Sequence, residues 1–281
     1  MNPVKSLLVA IRRYLGLEEL LVHSRDLRRR SEELRTLARS QQALLRDLHA
    51  SQVFHDRILG SSWFTPQCLS PGGWAVDYGF LKTLYVVLSS MQPKNILEFG
   101  LGQSSKLVHQ YAAHFGADAL TCENSDDWIS FFFKSENPDA SPHPLPPLSE
   151  TPFVVDSSLG YPVKIRRLPL EQITIKDAQT TTYRDVETVF AGQTFDFILV
   201  DGPRGEPRFS RSQIISLAER NLAERFCIMV DDTQRRGERE TIAEVESVLN
   251  RRNIPFAKAT HRSSKSHTLL FSPSLGFLGS T

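Results

Sequence analysis

Asn95-Ile96-Leu97-Glu98-Phe99-Gly100-Leu101-Gly102-Gln103-Ser104-Ser105 is an apolar run that ends in a carboxylate and two glycines, just before a helical pattern begins. It predicts a strand, a ligand-binding loop and a helix. Gly100 and Gly102 allow a backbone turn with positive φ and let a ligand lie against the main chain, where a side chain would stand in the way. Ser104 or Ser105 then caps a helix carrying Leu107, Val108 and Tyr111.

The spacing Gly100-x-Gly102-x-x-Ser105 nearly matches a dinucleotide fingerprint, so two cofactor classes compete for the loop and its charge separates them. A pyrophosphate would meet Glu98, two residues before the first glycine, at close range. A cationic ligand suits Glu98 better. S-adenosylmethionine carries an ammonium and a sulfonium and no phosphate, and the third glycine of the dinucleotide pattern is absent. Ala119-Leu120-Thr121-Cys122-Glu123 reads as the next strand. Its closing carboxylate lies about 20 residues beyond the loop, where doubly wound folds place the acid that accepts both ribose hydroxyls. A third apolar strand, Phe195-Asp196-Phe197-Ile198-Leu199-Val200, delivers Asp201 to its carboxyl end, and Cys227-Ile228-Met229-Val230 then delivers Asp231 and Asp232. Open α/β sheets bind ligands at those ends.

In their order, these segments resemble the class I S-adenosylmethionine-dependent methyltransferases, from about Trp74 to Pro273. The resemblance implies an α/β fold: a doubly wound, Rossmann-like methyltransferase sheet of seven strands, the last antiparallel. "FDFILVDGPRG" followed by "IMVDDT" is similar to the metal-dependent O-methyltransferases of the catechol and caffeoyl-coenzyme A type. By position, that similarity implies Asp201 and Asp231 as ligands of Mg²⁺ or another divalent cation, with Asp232 standing where those enzymes have Asn. The third carboxylate makes either a harder, more negative metal site or a site without metal. Arg204 falls where those enzymes place a catalytic lysine. It stays protonated and is a poor base, but it can orient an acidic substrate or pair with Asp201. "FGLGQSS" and the Asp-Gly-Pro-x-Gly turn are similar, more loosely, to the plant glucuronoxylan methyltransferases. A hydroxyl of a small molecule or of a carbohydrate or polysaccharide intermediate is the acceptor this implies, with Arg204, Arg208 or Arg211 available for a carboxylate or phosphate.

The expected cofactor contacts are therefore Glu98, Gly100, Gly102, Ser104, Glu123 and Trp74. The expected catalytic set is Asp201, Asp231 and Arg204, with Asp201, Asp231 and Asp232 as the metal set. In-line methyl transfer draws most of its acceleration from alignment, and Asp201 and Asp231 act either through a cation or directly as base and orienting group. Trp74, Asp77 and Tyr78, on a glycine turn before a helix to about Ser90, are candidates to line the cleft, with packing as the alternative. Ser125 or Asp126 caps a helix from which Trp128 can approach the adenine edge. His109, His114, His261 and His267 read as surface or packing residues.

The 281 residues carry a formal charge of +1 and 40% hydrophobic residues, enough for one full core plus an appendage and no argument for nucleic acid. Three widely spaced cysteines indicate neither a disulfide framework nor a zinc site, and a reducing, cytoplasmic setting follows. No apolar run is long enough to span a bilayer. Residues 1–60 form a helical, coiled-coil-like segment, and 61–281 the methyltransferase-like domain, with the boundary at Gly60-Ser61-Ser62. Leu27, Leu34, Gln41 and Leu48 recur every seven residues, with Leu37 and Leu44 between them, which predicts a homodimer through this helix or a helix folded back on its own domain. Val4, Leu7, Leu8, Ile11 and Leu15 share a face, and the first 60 residues carry 11 Lys and Arg against 7 Asp and Glu. This admits weak contact with a membrane surface, or docking on a partner. Asn137–Pro152 holds six prolines and reads as a loop. Val163–Leu168, Ile254–Ala259 and His267–Phe271 read as further strands and Glu238–Arg251 as an amphipathic helix. Two other classes stay open: a nicotinamide-dependent dehydrogenase, and a coiled-coil scaffold whose domain no longer turns over.

Overall fold

The computed structural model describes residues 16–65, 69–73, 75–136, 151–156 and 160–280, together with Lys5, Ala10, Ile11 and Tyr14. The expectations for Trp74, for most of the face formed by Val4 to Leu15 and for residues 137–150 lie outside the described residues. The chain divides into two units, Met1–Leu45 and Arg46–Thr281.

A single helix, α1 (Leu17–Leu59), contributes to both units. It contains no proline or glycine, and in the first unit Leu27, Leu34, Leu37 and Leu44 are exposed. From Arg46 onward the helix belongs to the second unit, where Phe54 and Ile58 are buried in a core cluster with Phe80, Leu84 and Val108. The division between the two units falls within this helix. Burying Phe54 and Ile58 contributes on the order of 2 kcal/mol each.

The second unit is a Rossmann-like α/β fold. After α2 (Tyr78–Val86), extended by a π-helical turn to Met91, come β1 (Asn95–Phe99), α3 (Gln103–Phe115), β2 (Asp118–Glu123) and α4 (Asp126–Glu136). Next are β3 (Phe153–Asp156), β4 (Pro162–Arg167), β5 (Leu170–Ile175), β6 (Ala178–Tyr183) and a short α5 (Val186–Val189). The chain ends with β7 (Phe195–Val200), α6 (Gln213–Arg220), β8 (Leu222–Val230), α7 (Arg236–Arg251), β9 (Ala257–Arg262), β10 (Ser266–Phe271) and a 3₁₀ segment, Pro273–Ser280.

The main sheet has eight strands in the order β3-β4-β2-β1-β7-β8-β10-β9. Pairs from β4 through β8 are parallel, β10 runs antiparallel to both β8 and β9, and β3 runs antiparallel to β4. The expected seven strands thus gain an eighth, β3, at the edge. A separate two-stranded hairpin, β5–β6, was also not expected. Its two-residue turn is Lys176-Asp177, with Lys176 at φ +55°, and lacks the Asn-Gly type of signal that marks such turns in sequence.

Central strands are apolar on both sides because both faces are covered. Ile96, Leu199, Met229 and Leu269 enter the cluster containing Phe80 and Leu84, whereas Leu97, Ile198, Ile228 and Leu270 enter the opposite one with Ile242 and Val245 of α7. This period-two division fixes register, since a one-residue slip would exchange the faces. With register fixed, β1, β2, β7 and β8 present their carboxyl ends along one edge of the sheet.

Candidate active site

Gly100, the first residue after β1, has φ +96°, and a Cβ there would come within 2.9 Å of the Asp201 carbonyl carbon and the Gly202 nitrogen. The loops after β1 and β7 therefore touch backbone to backbone. Asp201 N donates to Phe99 O at 2.8 Å, and Asp231 N to Val200 O at 3.0 Å, which carries the strand register out to both carboxylates. Gly102 differs from Gly100: its φ is −174°, which is extended backbone, and a Cβ there would meet nothing within 4 Å. Only Gly100 needs a glycine's conformational freedom. Gly102 matters for the open space above it.

Gly102 is also the N-cap of α3, so neither Ser104 nor Ser105 takes that role. Ser105 Oγ instead accepts from Gly102 N at 2.9 Å, and Ser104 Oγ donates to Glu98 Oε1 at 2.7 Å. Glu98 is fully buried beneath the loop, its other oxygen accepting from Thr121 Oγ1 at 2.7 Å, while His109 Nε2 meets that hydroxyl at 2.8 Å. Burial, countered by these hydroxyls, pushes the Glu98 carboxyl up to about 7. Glu98 and Ser104 thus bind each other and support the loop from below, whereas the sequence reading put Glu98 at its mouth. Glu98 is an ordinary strand residue in its spacing, and only the fold shows which way it faces.

Glu123 stands at the end of β2, as expected. Its Oε2 accepts from Leu101 N at 3.1 Å, and Oε1 from Asn124 N at 2.7 Å and Ser125 N at 3.0 Å. An ionised carboxylate offers about four acceptor sites, so three backbone donors leave room for a ligand hydroxyl. Ser125 Oγ caps α4 by accepting from Trp128 N at 3.1 Å, and Trp128 Nε1 donates to Leu101 O at 2.5 Å. An exposed indole is thereby fixed beside the loop.

The three strand-end acids converge: one carboxylate oxygen each from Asp201, Asp231 and Asp232 all lie within 4.8 Å of one another. Asp201 is the open member, its side chain 20% exposed against 5% for Asp232. Asp231 is completely buried, and neither of its carboxylate oxygens has a hydrogen-bond partner among the described residues. Burial, reinforced by the Asp201 and Asp232 charges, pushes the Asp231 carboxyl well above the usual range. Burial also raises Asp201, while Arg211 pulls it back.

Arg211 takes a place among the acids that sequence reasoning did not give it. Its guanidinium is buried, with Nη2 3.1 Å from both Asp201 Oδ1 and Asp232 Oδ2 and Nη1 donating to Asp231 O at 3.1 Å and Val200 O at 3.5 Å. Nε donates to Pro203 O at 3.4 Å. Asp232 is further engaged by Arg235 Nη1 at 3.0 Å and Gln234 Nε2 at 3.2 Å. Arg204, expected either to orient an acidic substrate or to pair with Asp201, is exposed on the loop; it is Arg211 that pairs with Asp201. Arg208 pairs with Glu240 at 2.7 Å, so neither Arg208 nor Arg211 stands ready for an acidic substrate as expected. The loop from Gly202 to Arg211 passes through left-handed backbone at Phe209 and Arg211, which no spacing rule anticipates.

Asp77 does not line a cleft. It is buried and caps α2, accepting from Phe80 N at 2.9 Å, and its other oxygen accepts from Ser263 and Ser264 hydroxyls at 2.6 and 2.8 Å and from Lys265 N at 2.7 Å. Tyr78 packs near Phe54 and His55. His109 and His267 are buried against threonine hydroxyls, and burial lowers both to about 3, so they are neutral packing residues.

No family model and no curated protein matches the chain. Among solved structures, it is similar to the SAH-bound Podospora anserina methyltransferase PaMTH1, at TM-score 0.40 and 13% identity over 85% of this chain and 94% of that one. It is also similar to a TehB-like SAM-dependent methyltransferase from Corynebacterium glutamicum, at TM-score 0.32 and 13% identity over 68% and 86% of the two chains. These neighbours are methyltransferases. A third is the plantazolicin methyltransferase BpumL in complex with SAH, at TM-score 0.33 and 13% identity over 86% and 98%. Among the described residues of this chain, no helix is long and apolar enough to cross a membrane.

Proposed function

We propose that the chain is an S-adenosylmethionine-dependent methyltransferase acting on a hydroxyl oxygen of a small molecule or carbohydrate. The observation that carries this reading is the adjacency of two features at one sheet edge. One is a glycine loop with open space at Gly102 and Glu123 beside it, and the other is Asp201, reached across the backbone contact between Gly100 and Gly202. S-adenosylmethionine, when bound, supplies an activated methyl group. Glu123 offers its remaining acceptor capacity to the ribose hydroxyls, and Trp128 offers a flat wall beside Leu101. Asp201 takes the acceptor's hydroxyl proton as the new oxygen–methyl bond forms and the electron pair of the broken carbon–sulfur bond stays on sulfur.

The exposed leucines of α1 support pairing with a second copy of the chain, and the buried free thiols of Cys122 and Cys227 fit a reducing, cytoplasmic setting. The test of the catalytic reading is transfer of labelled methyl to hydroxylated acceptors, uronic acid oligosaccharides and catechols among them. Asp201→Asn is expected to lower transfer about 100-fold or more while S-adenosylhomocysteine binding stays within a few-fold. Unchanged transfer would remove Asp201 from the chemistry.

A further inference from the structure

A divalent cation held by all three strand-end acids would need one free oxygen from each. Asp232 is engaged at both oxygens: Oδ2 lies between Arg211 Nη2 at 3.1 Å and Arg235 Nη1 at 3.0 Å, and Oδ1 accepts from Gln234 Nε2 at 3.2 Å, so a cation there would share an occupied oxygen and sit beside two guanidinium groups. Asp201 has turned Oδ1 toward the same Arg211 nitrogen, also at 3.1 Å. The oxygens with no donor among the described residues are the second of Asp201 and the two of Asp231, a two-residue set facing a buried guanidinium. Divalent cations of this hard class prefer six or more oxygens and are repelled by a neighbouring positive charge. Arginine cannot shed its proton to make room. The donor set therefore does not fit the metal that the sequence similarity implies.

Arg211 itself meets the requirements of a resident cation. It is buried, planar and held in place by three backbone carbonyls, those of Val200, Pro203 and Asp231, so its position is fixed independently of the carboxylates it touches. Those carbonyls belong to the ends of β7 and β8 and to the loop after β7. We propose that the Arg211 guanidinium is the permanent cation of this site, clamping Asp201 and Asp232 in place of a divalent metal, and that Asp201 is positioned for the acceptor without one. The proposal rests on the methyltransferase reading for what Asp201 does, but not for the identity of the cation.

The test is Mn²⁺ binding to the full chain, followed by electron paramagnetic resonance, with S-adenosylhomocysteine titrated into the same metal-stripped protein. Wild type is expected to bind no Mn²⁺ at up to about 1 mM and to bind S-adenosylhomocysteine equally well before and after stripping. Arg211→Met frees the carboxylates. If it folds, it is expected to gain one Mn²⁺ site at least about tenfold tighter than wild type and a melting temperature that rises with Mn²⁺. Stoichiometric Mn²⁺ binding by wild type at micromolar levels overturns the proposal whether or not the variant folds, as does a folded Arg211→Met with no gain. Absent Mn²⁺ binding with no S-adenosylhomocysteine binding removes the methyltransferase reading alone.

Discussion

Glu98 shows how one carboxylate changes role once the fold is known. It lies fully buried under the loop, bonded to Ser104 and Thr121, with its carboxyl raised from 4.5 to about 7. A group protonated in the native state and ionised in the unfolded state stabilises the fold below about pH 4.5. That contribution is lost as pH climbs to about 7, a change on the order of 3 kcal/mol. Other buried acids titrate as well, so the informative quantity is the difference between wild type and Glu98→Gln in chemical denaturation across pH. The variant is expected to lack this part of the decline between pH 4.5 and 7; parallel curves would mean that the fold does not raise the Glu98 carboxyl. Its strand position was legible in the sequence, but its direction was not, because alternation in a sheet buried on both faces gives no polar side. Asp77 failed for a related reason: its four partners include Ser263, Ser264 and Lys265, which no local pattern connects to it.

At the scale of elements, strands with continuous apolar runs and helices with clear punctuation were readable: β1, β2, β7, β8, α3 and α7 stand close to where the pattern puts them. Gly100 and Gly102 looked alike in sequence and are opposite in structure. One is required by φ +96° and a 2.9 Å backbone approach, and the other is extended with open space before it. A side chain at Gly102 therefore leaves the fold intact and enters the volume where a ligand would lie, which makes that position a clean probe of binding. Elements that depend on pairing were not readable. β3 exists as an edge strand through its ladder with β4, and the β5–β6 hairpin turns on Lys176-Asp177 without a favourable turn residue. The Arg211 clamp is likewise set by a loop with two left-handed residues, so the carboxylate cluster was legible and its cation was not.

At the scale of the whole molecule there is a Rossmann-like unit and a helical unit whose leucines have no cover among the described residues. Leu34 and Leu37 are 69% and 59% exposed, one heptad pair on a helix that otherwise carries many charges. Sedimentation at micromolar concentration is expected to show a dimer, and Leu34→Glu with Leu37→Glu a monomer with unchanged melting of the second unit. A monomeric wild type would leave the seam to another role. The central claim is the identity of the ligand at the Gly100 loop. The measurement that tests it most directly is calorimetric titration of wild type and Gly102→Val with S-adenosylhomocysteine and with NAD. One S-adenosylhomocysteine is expected to bind per wild-type chain in the micromolar range, with no NAD binding, and with affinity reduced at least about 30-fold, or about 2 kcal/mol, in a variant that melts like wild type. NAD binding alone, or no binding of either ligand to folded wild type, would contradict it.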